Sequence, residues 1–148
     1  MYTKVFQQHA KLLKALSNPK RLEILQLLRK ASLRVGEMGK MLGLPQANLS
    51  QHLMVLRRFG VVGTERKGKE IYYHIAHKNF TSAIDLMRGV LFERFGEQTM
   101  KAAEQLSVVT DPVCGMRLTP ASAAVSVKQN HRSYYFCGAG CKRSFTKS

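Results

Sequence analysis

Leu42-Gly43-Leu44-Pro45-Gln46-Ala47-Asn48-Leu49-Ser50-Gln51-His52-Leu53-Met54-Val55-Leu56-Arg57-Arg58-Phe59-Gly60 is the stretch on which the fold turns. Gly43 stands where a left-handed cap would close a short helix over Val35 to Leu42. Leu44-Pro45 turns the chain, and a second helix is expected from about Pro45 to Phe59, ended by Gly60. On a helical wheel Leu49, Leu53 and Leu56 share one face, which is expected to be core. Ala47, Ser50, Gln51 and Met54 point the other way, flanked by Gln46 and Asn48. Two short helices joined by a tight glycine-containing turn form a helix-turn-helix pattern. The amides and hydroxyl on the outer face are the side chains that read base edges and phosphates.

Upstream, Val5, Phe6, His9, Leu12, Leu13 and Leu16 follow helical spacing. Ser17-Asn18-Pro19 punctuates, with Asn18 a candidate cap and Pro19 suited to the next helix's first turn. That helix carries Leu22, Leu25 and Leu28 on one stripe. Downstream, Val61, Val62 and Thr64 read as a strand and Ile71-Tyr72-Tyr73-His74-Ile75 as its return. Between them Arg66-Lys67-Gly68-Lys69 makes a basic tip. From about Asn79 to Leu106 the helical period resumes through Phe80, Ile84, Met87, Leu91 and Phe95. A helix of that length exceeds what so small a domain can cover, which implies a second copy packed against it. The fold class expected is mainly α with a β-hairpin wing, a winged helix-turn-helix. A small α+β cysteine-rich module follows it.

Charge supports a polyanionic partner. The 148 residues hold 24 Lys and Arg against 9 Asp and Glu, for a net charge of +15. Residues 1–106 contribute +10 and residues 107–148 contribute +5. In a winged helix the second helix of the pair enters the major groove, so Gln46, Asn48, Ser50 and Gln51 are the candidate base and phosphate contacts. Arg66, Lys67 and Lys69 of the wing are expected to reach the backbone or minor groove of double-stranded DNA. No apolar run spans a bilayer, and Met1 to His9 lacks the apolar segment of a secretory signal. A cytoplasmic location without membrane contact is therefore expected. No Ser-His-Asp, paired-carboxylate or phosphate-loop arrangement supports an enzyme.

The segments LLKALSNPKRLEILQLL, LGLPQANLSQHLMVLRRFGVV and ERKGKEIYYHI resemble the ArsR/SmtB family of metal-responsive repressors over roughly residues 5–105. The resemblance implies a homodimer that leaves its operator when an effector binds. It places Leu12, Leu13, Met87 and Leu91 at the dimer interface and gives His52 a position usually held by His. Many such repressors carry cysteines in the helix before the recognition helix. Here that stretch reads Arg34-Val35-Gly36-Glu37-Met38-Gly39-Lys40. The last helix also lacks the paired Asp/His and His/Glu pattern of zinc sensors. Asp85, Glu93, His74 and His77 are read as surface or core residues. Sensing is therefore expected elsewhere or not at all.

The three cysteines, Cys114, Cys137 and Cys141, all lie in the last quarter of the chain. An odd number without an export signal argues against a disulfide framework. Gly115 after Cys114 permits a tight knuckle, and the four-residue step from Cys137 to Cys141 is expected to put both sulfurs on one helical face. Three thiolates suit soft ions: Cu(I), Zn(II), or a trigonal thiophile such as As(III), Cd(II) or Hg(II). A fourth ligand is open, with Asp111 a candidate and His131 more naturally a turn residue. DPVCGM and YYFCGAGCKRSF resemble the YHS domain and the related TRASH motif over about residues 110–146. That resemblance implies heavy-metal sensing, trafficking or resistance.

The domain division expected is 1–107 for DNA binding and dimerisation and 108–148 for metal binding, with Val108 to Pro112 as linker or boundary. The leading function is a metal-responsive repressor whose metal site acts through the last helix. A thiol-disulfide sensing repressor and a metal carrier protein remain alternatives.

Overall fold

The computed structural model describes residues 1–147. Four helices build the DNA-binding half: α1 (Tyr2–Leu16), α2 (Pro19–Leu27), α3 (Val35–Leu42) and α4 (Gln46–Arg58). Local chemistry sets their ends. Asn18 Oδ1 accepts the Arg21 N–H at 3.2 Å and Pro19 opens α2, which leaves no orphan donor at the first position. Gly43 adopts φ +62° and closes α3, so the chain reverses within three residues into α4. Leu49, Leu53 and Leu56 are buried, as the wheel predicts, and pack with Ile24, Leu25, Met38 and Met41. Burying three leucines stabilises by about 5–9 kcal/mol before entropy is counted. That fixes which face of α4 is left to solvent.

The wing is the antiparallel pair β1 (Val62–Lys67) and β2 (Glu70–Ile75), in the register Val62↔Ile75 to Lys67↔Glu70. Gly63 faces His74 across it, and a Cβ there would lie 2.7 Å from the His74 Nε2, so glycine is what admits the imidazole. Leu33 pins the wing to the start of α3: its N–H donates to the Tyr73 carbonyl at 3.1 Å and its carbonyl accepts the Tyr73 N–H at 2.8 Å.

The helical region expected over 79–106 is two helices, α5 (Lys78–Phe95) and α6 (Gln98–Gln105). Gly96 breaks it, at φ +60° and ψ −144°, a left-sided conformation that favours glycine. Gln26 of α2 ties the two together. Its Nε2 donates to the Ala103 carbonyl at 3.2 Å and its Oε1 accepts from Arg88 at 3.0 Å.

Residues beyond α6 form a small α+β unit: β3 (Val109–Thr110) with β4 (Arg117–Leu118), β5 (Val125–Gln129) with β6 (Arg132–Phe136), and α7 (Ala139–Thr146). The stretch Val108 to Pro112 is thus not a free linker. Val109 and Thr110 pair with Leu118 and Arg117, and Asp111 is fully buried. Asn130 and His131 turn the β5–β6 hairpin with positive φ. Phe136 is buried, and Phe145 of α7 lies 4.8 Å from the Tyr134 ring and 5.3 Å from the Phe136 ring.

Candidate nucleic-acid interface and candidate metal centre

Gln46, Asn48, Ser50 and Gln51 are all exposed on α4, opposite its buried leucines. His52 is half-buried at the border of the two faces. Arg66, Lys67 and Lys69 are exposed at the wing tip, where Gly68 takes φ +63°. Arg66 Nε donates to the Gly68 carbonyl at 3.0 Å, and Lys67 Nζ lies 5.2 Å from the Tyr72 ring centroid. The polar face of α4 and the basic tip thus stand free of the protein core, as groove and phosphate contacts require.

The outer faces of α1 and α5 are apolar and uncovered in the single chain. Val5, Phe6 and Leu13 on α1 and Leu86, Met87, Val90 and Leu91 on α5 are exposed, whereas Leu12 is half-buried. Patches of this kind mark a protein contact. His77 caps α5, with its Nδ1 accepting the Asn79 N–H at 3.1 Å. Asp85 accepts a bidentate pair from Arg29 at 2.7 and 2.8 Å and a bond from Arg88.

The cysteines meet. Cys114 Sγ is 3.5 Å from Cys137 Sγ, which is 3.7 Å from Cys141 Sγ. One donor atom from each cysteine and one from Asp111 all lie within 4.8 Å of one another. Among the described residues this is the grouping of metal-type donors, and His131 is not in it. The pairing of Cys137 with Cys141 differs from expectation. Cys137 lies outside α7, before its Gly138 N-cap, and only Cys141 is in the helix's first turn. Cys114 sits in a knuckle closed by the Gly115 N–H to the Asp111 carbonyl at 3.0 Å and the Asp111 N–H to the Met116 carbonyl at 2.9 Å. Gly115 there has φ +77°, open to glycine.

Asp111 organises this arrangement. Its Oδ1 accepts the backbone N–H of Val113 at 2.8 Å and of Cys114 at 3.3 Å, and its Oδ2 accepts the Cys137 N–H at 2.8 Å. Burial alone would raise its carboxyl, but the N–H groups of Cys137, Val113 and Cys114 outweigh that and hold it well below the usual carboxylate range. Its oxygens are engaged with backbone N–H groups, while one of them lies with the three sulfurs as a candidate fourth donor. The Cys137 thiol is pushed up to about 12, first by its contact with Cys114 and then by Asp111 and Cys141. The Cys141 thiol is also raised, by burial first.

Two functional-looking residues escape the sequence reading. Arg117, three residues past Cys114, reaches across to α3. Its Nε and Nη2 donate to Glu37 Oε1 at 3.0 and 2.9 Å, its Nη2 to Oε2 at 2.8 Å, and its Nη1 to the Ser32 carbonyl at 2.9 Å. A cavity of about 650 Å3 lies beside this pair, bordered by Cys114, Cys137 and Met116 on one side and Arg34, Glu37 and Lys40 on the other. Burial raises the Glu37 carboxyl, while the Arg34 N–H and the Arg117 guanidinium lower it further, leaving it below its ordinary value. A scarce acid in the first turn of a helix in so basic a chain was the available signal.

The model of the arsR family of bacterial regulatory proteins matches residues 18–64, from the α2 cap through the start of the wing. The transcriptional activator HlyU of Vibrio cholerae is 41% identical over 76 residues, covering 51% of this chain and 70% of that protein. The chain belongs to the arsR family. A biofilm growth-associated repressor of Xylella fastidiosa is 37% identical over 78 residues, 53% of this chain and 68% of the relative. Among solved structures, the homodimeric winged helix-turn-helix DNA-binding domain Mb0332 of Mycobacterium bovis aligns with a TM-score of 0.59 at 30% identity, covering 63% of this chain and 86% of that one. This arsR-family chain is a winged-helix, DNA-binding transcription regulator, and the relatives named here are regulators, not enzymes. No helix among the described residues is long and apolar enough to cross a membrane.

Proposed function

We propose that the protein is a metal-responsive repressor that binds operator DNA as a homodimer and is released when a soft metal or metalloid ion joins Cys114, Cys137 and Cys141. The observation that carries this reading is the convergence of three sulfurs from a knuckle, a strand end and a helix start. The donor set fits: thiolates select Cu(I), Zn(II), As(III) or Cd(II), and Asp111 holds two of the three ligand segments in place through their N–H groups. Operator contact is assigned to Gln46, Asn48, Ser50 and Gln51 on α4 and to Arg66, Lys67 and Lys69 on the wing. The exposed faces of α1 and α5 are assigned to the second copy, in keeping with the homodimeric Mb0332 domain. Residues 1–107 then form the DNA-binding and dimerisation domain and 108–148 a metal module of YHS/TRASH type.

The test is fluorescence anisotropy of the reduced protein on the DNA just upstream of its own gene, titrated in turn with Cu(I), Zn(II), As(III) and Cd(II). Release by one ion at stoichiometric amounts is expected, and Cys114→Ser should lose that response. Binding that no ion disturbs would overturn the sensor assignment. A second reading rests on the 3.5 and 3.7 Å sulfur contacts, which are close enough for disulfide formation. In it, hydrogen peroxide takes two electrons and two protons from a pair of thiols and leaves as water. Release by peroxide in the absence of metal would favour that reading, whereas the raised Cys137 thiol makes a poor thiolate nucleophile.

A further inference from the structure

Arg117 is rigidly tied to the cysteine knuckle. It pairs with Thr110 across β3–β4, and the loop between them is closed by the Asp111 N–H on the Met116 carbonyl. A change in the shape of residues 111–116 therefore moves the Arg117 backbone. The guanidinium has little slack at its far end, because four hydrogen bonds of 2.8–3.0 Å hold its plane against Glu37 and the Ser32 carbonyl.

Both of those partners sit at the root of a DNA-binding element. Glu37 is the third residue of α3, and its Oε2 also accepts the Arg34 N–H at 2.9 Å, so the carboxylate that receives Arg117 also caps the helix. α3 packs through Met38 and Met41 against Leu49 and Leu53 of α4. Gly39 of α3 passes so close that a Cβ would lie 3.2 Å from the Leu44 carbonyl oxygen, which leaves little freedom between the two helices. Ser32 precedes Leu33, whose backbone bonds to Tyr73 anchor the wing. Arg34 at the same helix start lies 3.6 Å from Glu70, beside the wing tip.

We infer that Arg117 and Glu37 are the positioning residues through which the cysteine site acts on α4 and the wing, in place of the last helix expected from sequence. The inference rests on the metal-sensing reading above. One side chain leaving the knuckle bonds to the cap of α3 and to the residue before the wing anchor, so a shift of the knuckle is felt by both DNA-binding elements together. The route from Cys114 to α4 runs through Arg117, Glu37 and Met38. The module also meets the helical half at α6, where the Ala121 N–H donates to the Gln105 carbonyl at 3.1 Å, a backbone bond that includes no residue of the Cys114 knuckle.

The experiment uses the full-length reduced protein with Cd(II) as probe, following metal by thiolate-to-cadmium charge-transfer absorbance and DNA by anisotropy. In the wild type the ratio of DNA Kd with and without Cd(II) is expected to be on the order of 5–150-fold. Arg117→Met and Glu37→Gln are expected to bind Cd(II) with wild-type stoichiometry and to bind DNA without metal, but to bring that ratio to about one. The double variant is expected to lower it no further, because both changes cut the same link. Arg117→Lys keeps the charge but cannot span both carboxylate oxygens and the Ser32 carbonyl, so its ratio is expected to fall between. It also serves if Arg117→Met does not fold. A wild-type ratio in Glu37→Gln and Arg117→Lys, with Cd(II) bound, overturns the inference while leaving the sensor reading intact. If wild-type DNA binding does not answer Cd(II), the same ratio is read with Cu(I), Zn(II) and As(III), and no response to any of the four overturns both.

Discussion

Asp111→Ala is expected to open the cysteine module while leaving the DNA-binding half folded. The substitution removes the acceptor of three backbone N–H groups, at 2.8 Å to Val113 and Cys137 and at 3.3 Å to Cys114. A hydrogen bond to a charged group contributes about 1.5–3 kcal/mol, so the two short ones are worth about 3–6 kcal/mol gross. Val113, Cys114 and Cys137 are exposed, so their freed N–H groups partly rehydrate and the net loss is about 2–4 kcal/mol. A unit of about 40 residues has a total stability of about 2–6 kcal/mol. The loss is thus comparable to all the stability residues 108–147 hold by themselves. Asp111→Asn is a sharper probe. Its amide oxygen can serve Val113 and Cys114, but its NH2 then faces the Cys137 N–H, donor against donor. The assay is the rate at which the three thiols of the metal-free protein react with an aromatic disulfide, beside far-ultraviolet circular dichroism and the stoichiometry of Cd(II) uptake. Both variants are expected to react faster with the disulfide, because Asp111 is one of the groups that raise the Cys137 thiol, and to lose stoichiometric Cd(II), with helicity and metal-free DNA affinity retained. Wild-type thiol rates together with wild-type Cd(II) binding in Asp111→Asn would refute the assignment of Asp111 as the organiser of the site.

Two further outcomes can be stated briefly. Lys67→Ala is expected to weaken DNA binding evenly across sequences and to reduce the slope of log K against log salt by about one, measured by anisotropy across a salt series. An unchanged slope would remove Lys67 from the phosphate contacts. Glu37 has a carboxyl lowered by the fold, so its contribution to stability is present above the unfolded value of about 4.3 and lost as pH falls through the folded value beneath it. The difference in urea midpoint between wild type and Glu37→Gln should therefore be full at pH 7 and shrink on acidification below about pH 4. A difference that does not change with pH would mean that the Arg117 and Arg34 bonds do not depend on the charge.

The parts of the fold that were legible in sequence are those set by neighbours along the chain. Gly43, Pro45 and Gly60 mark the limits of α3 and α4, Asn18 caps where its side chain predicts, and the leucines of α4 alternate with its polar residues at the helical period. The same holds for the site. Gly115 signals the knuckle, and the cysteine spacing brings the sulfurs together, although Cys137 does so from a strand end and not from a helix. The misreadings have physical reasons. Apolar residues at helical spacing run through Phe92 and Phe95 to the end of α5, so the pattern alone hid the break that Gly96 makes. Val108-Val109-Thr110 is a β-branched run, but two residues are too few to announce β3, and its partner lies beyond the knuckle. The Glu37–Arg117 pair joins residues 80 apart, and no local period carries information over that distance.

The small core of the C-terminal unit bears on how the proposed sensor would work. Among the described residues its fully or nearly buried ones are Asp111, Leu118, Thr119 and Phe136, and one of the four is a carboxylate that holds backbone N–H groups. A unit so poorly supplied with apolar burial draws much of its order from the knuckle, from its contacts with the helical half, and from any ion that joins the sulfurs. The knuckle and the contact with α3 meet at Arg117. On the proposed reading, an ion that orders the knuckle and operator DNA that fixes α3 and the wing would bias the same bonds. Linkage makes the effect reciprocal: if metal weakens DNA binding tenfold, DNA weakens metal binding tenfold. Metal affinity measured with and without operator DNA gives the same coupling from the opposite side. On the proposed reading, a module docked away from Ser32 and Glu37 would lack this side-chain link to α3 and the wing.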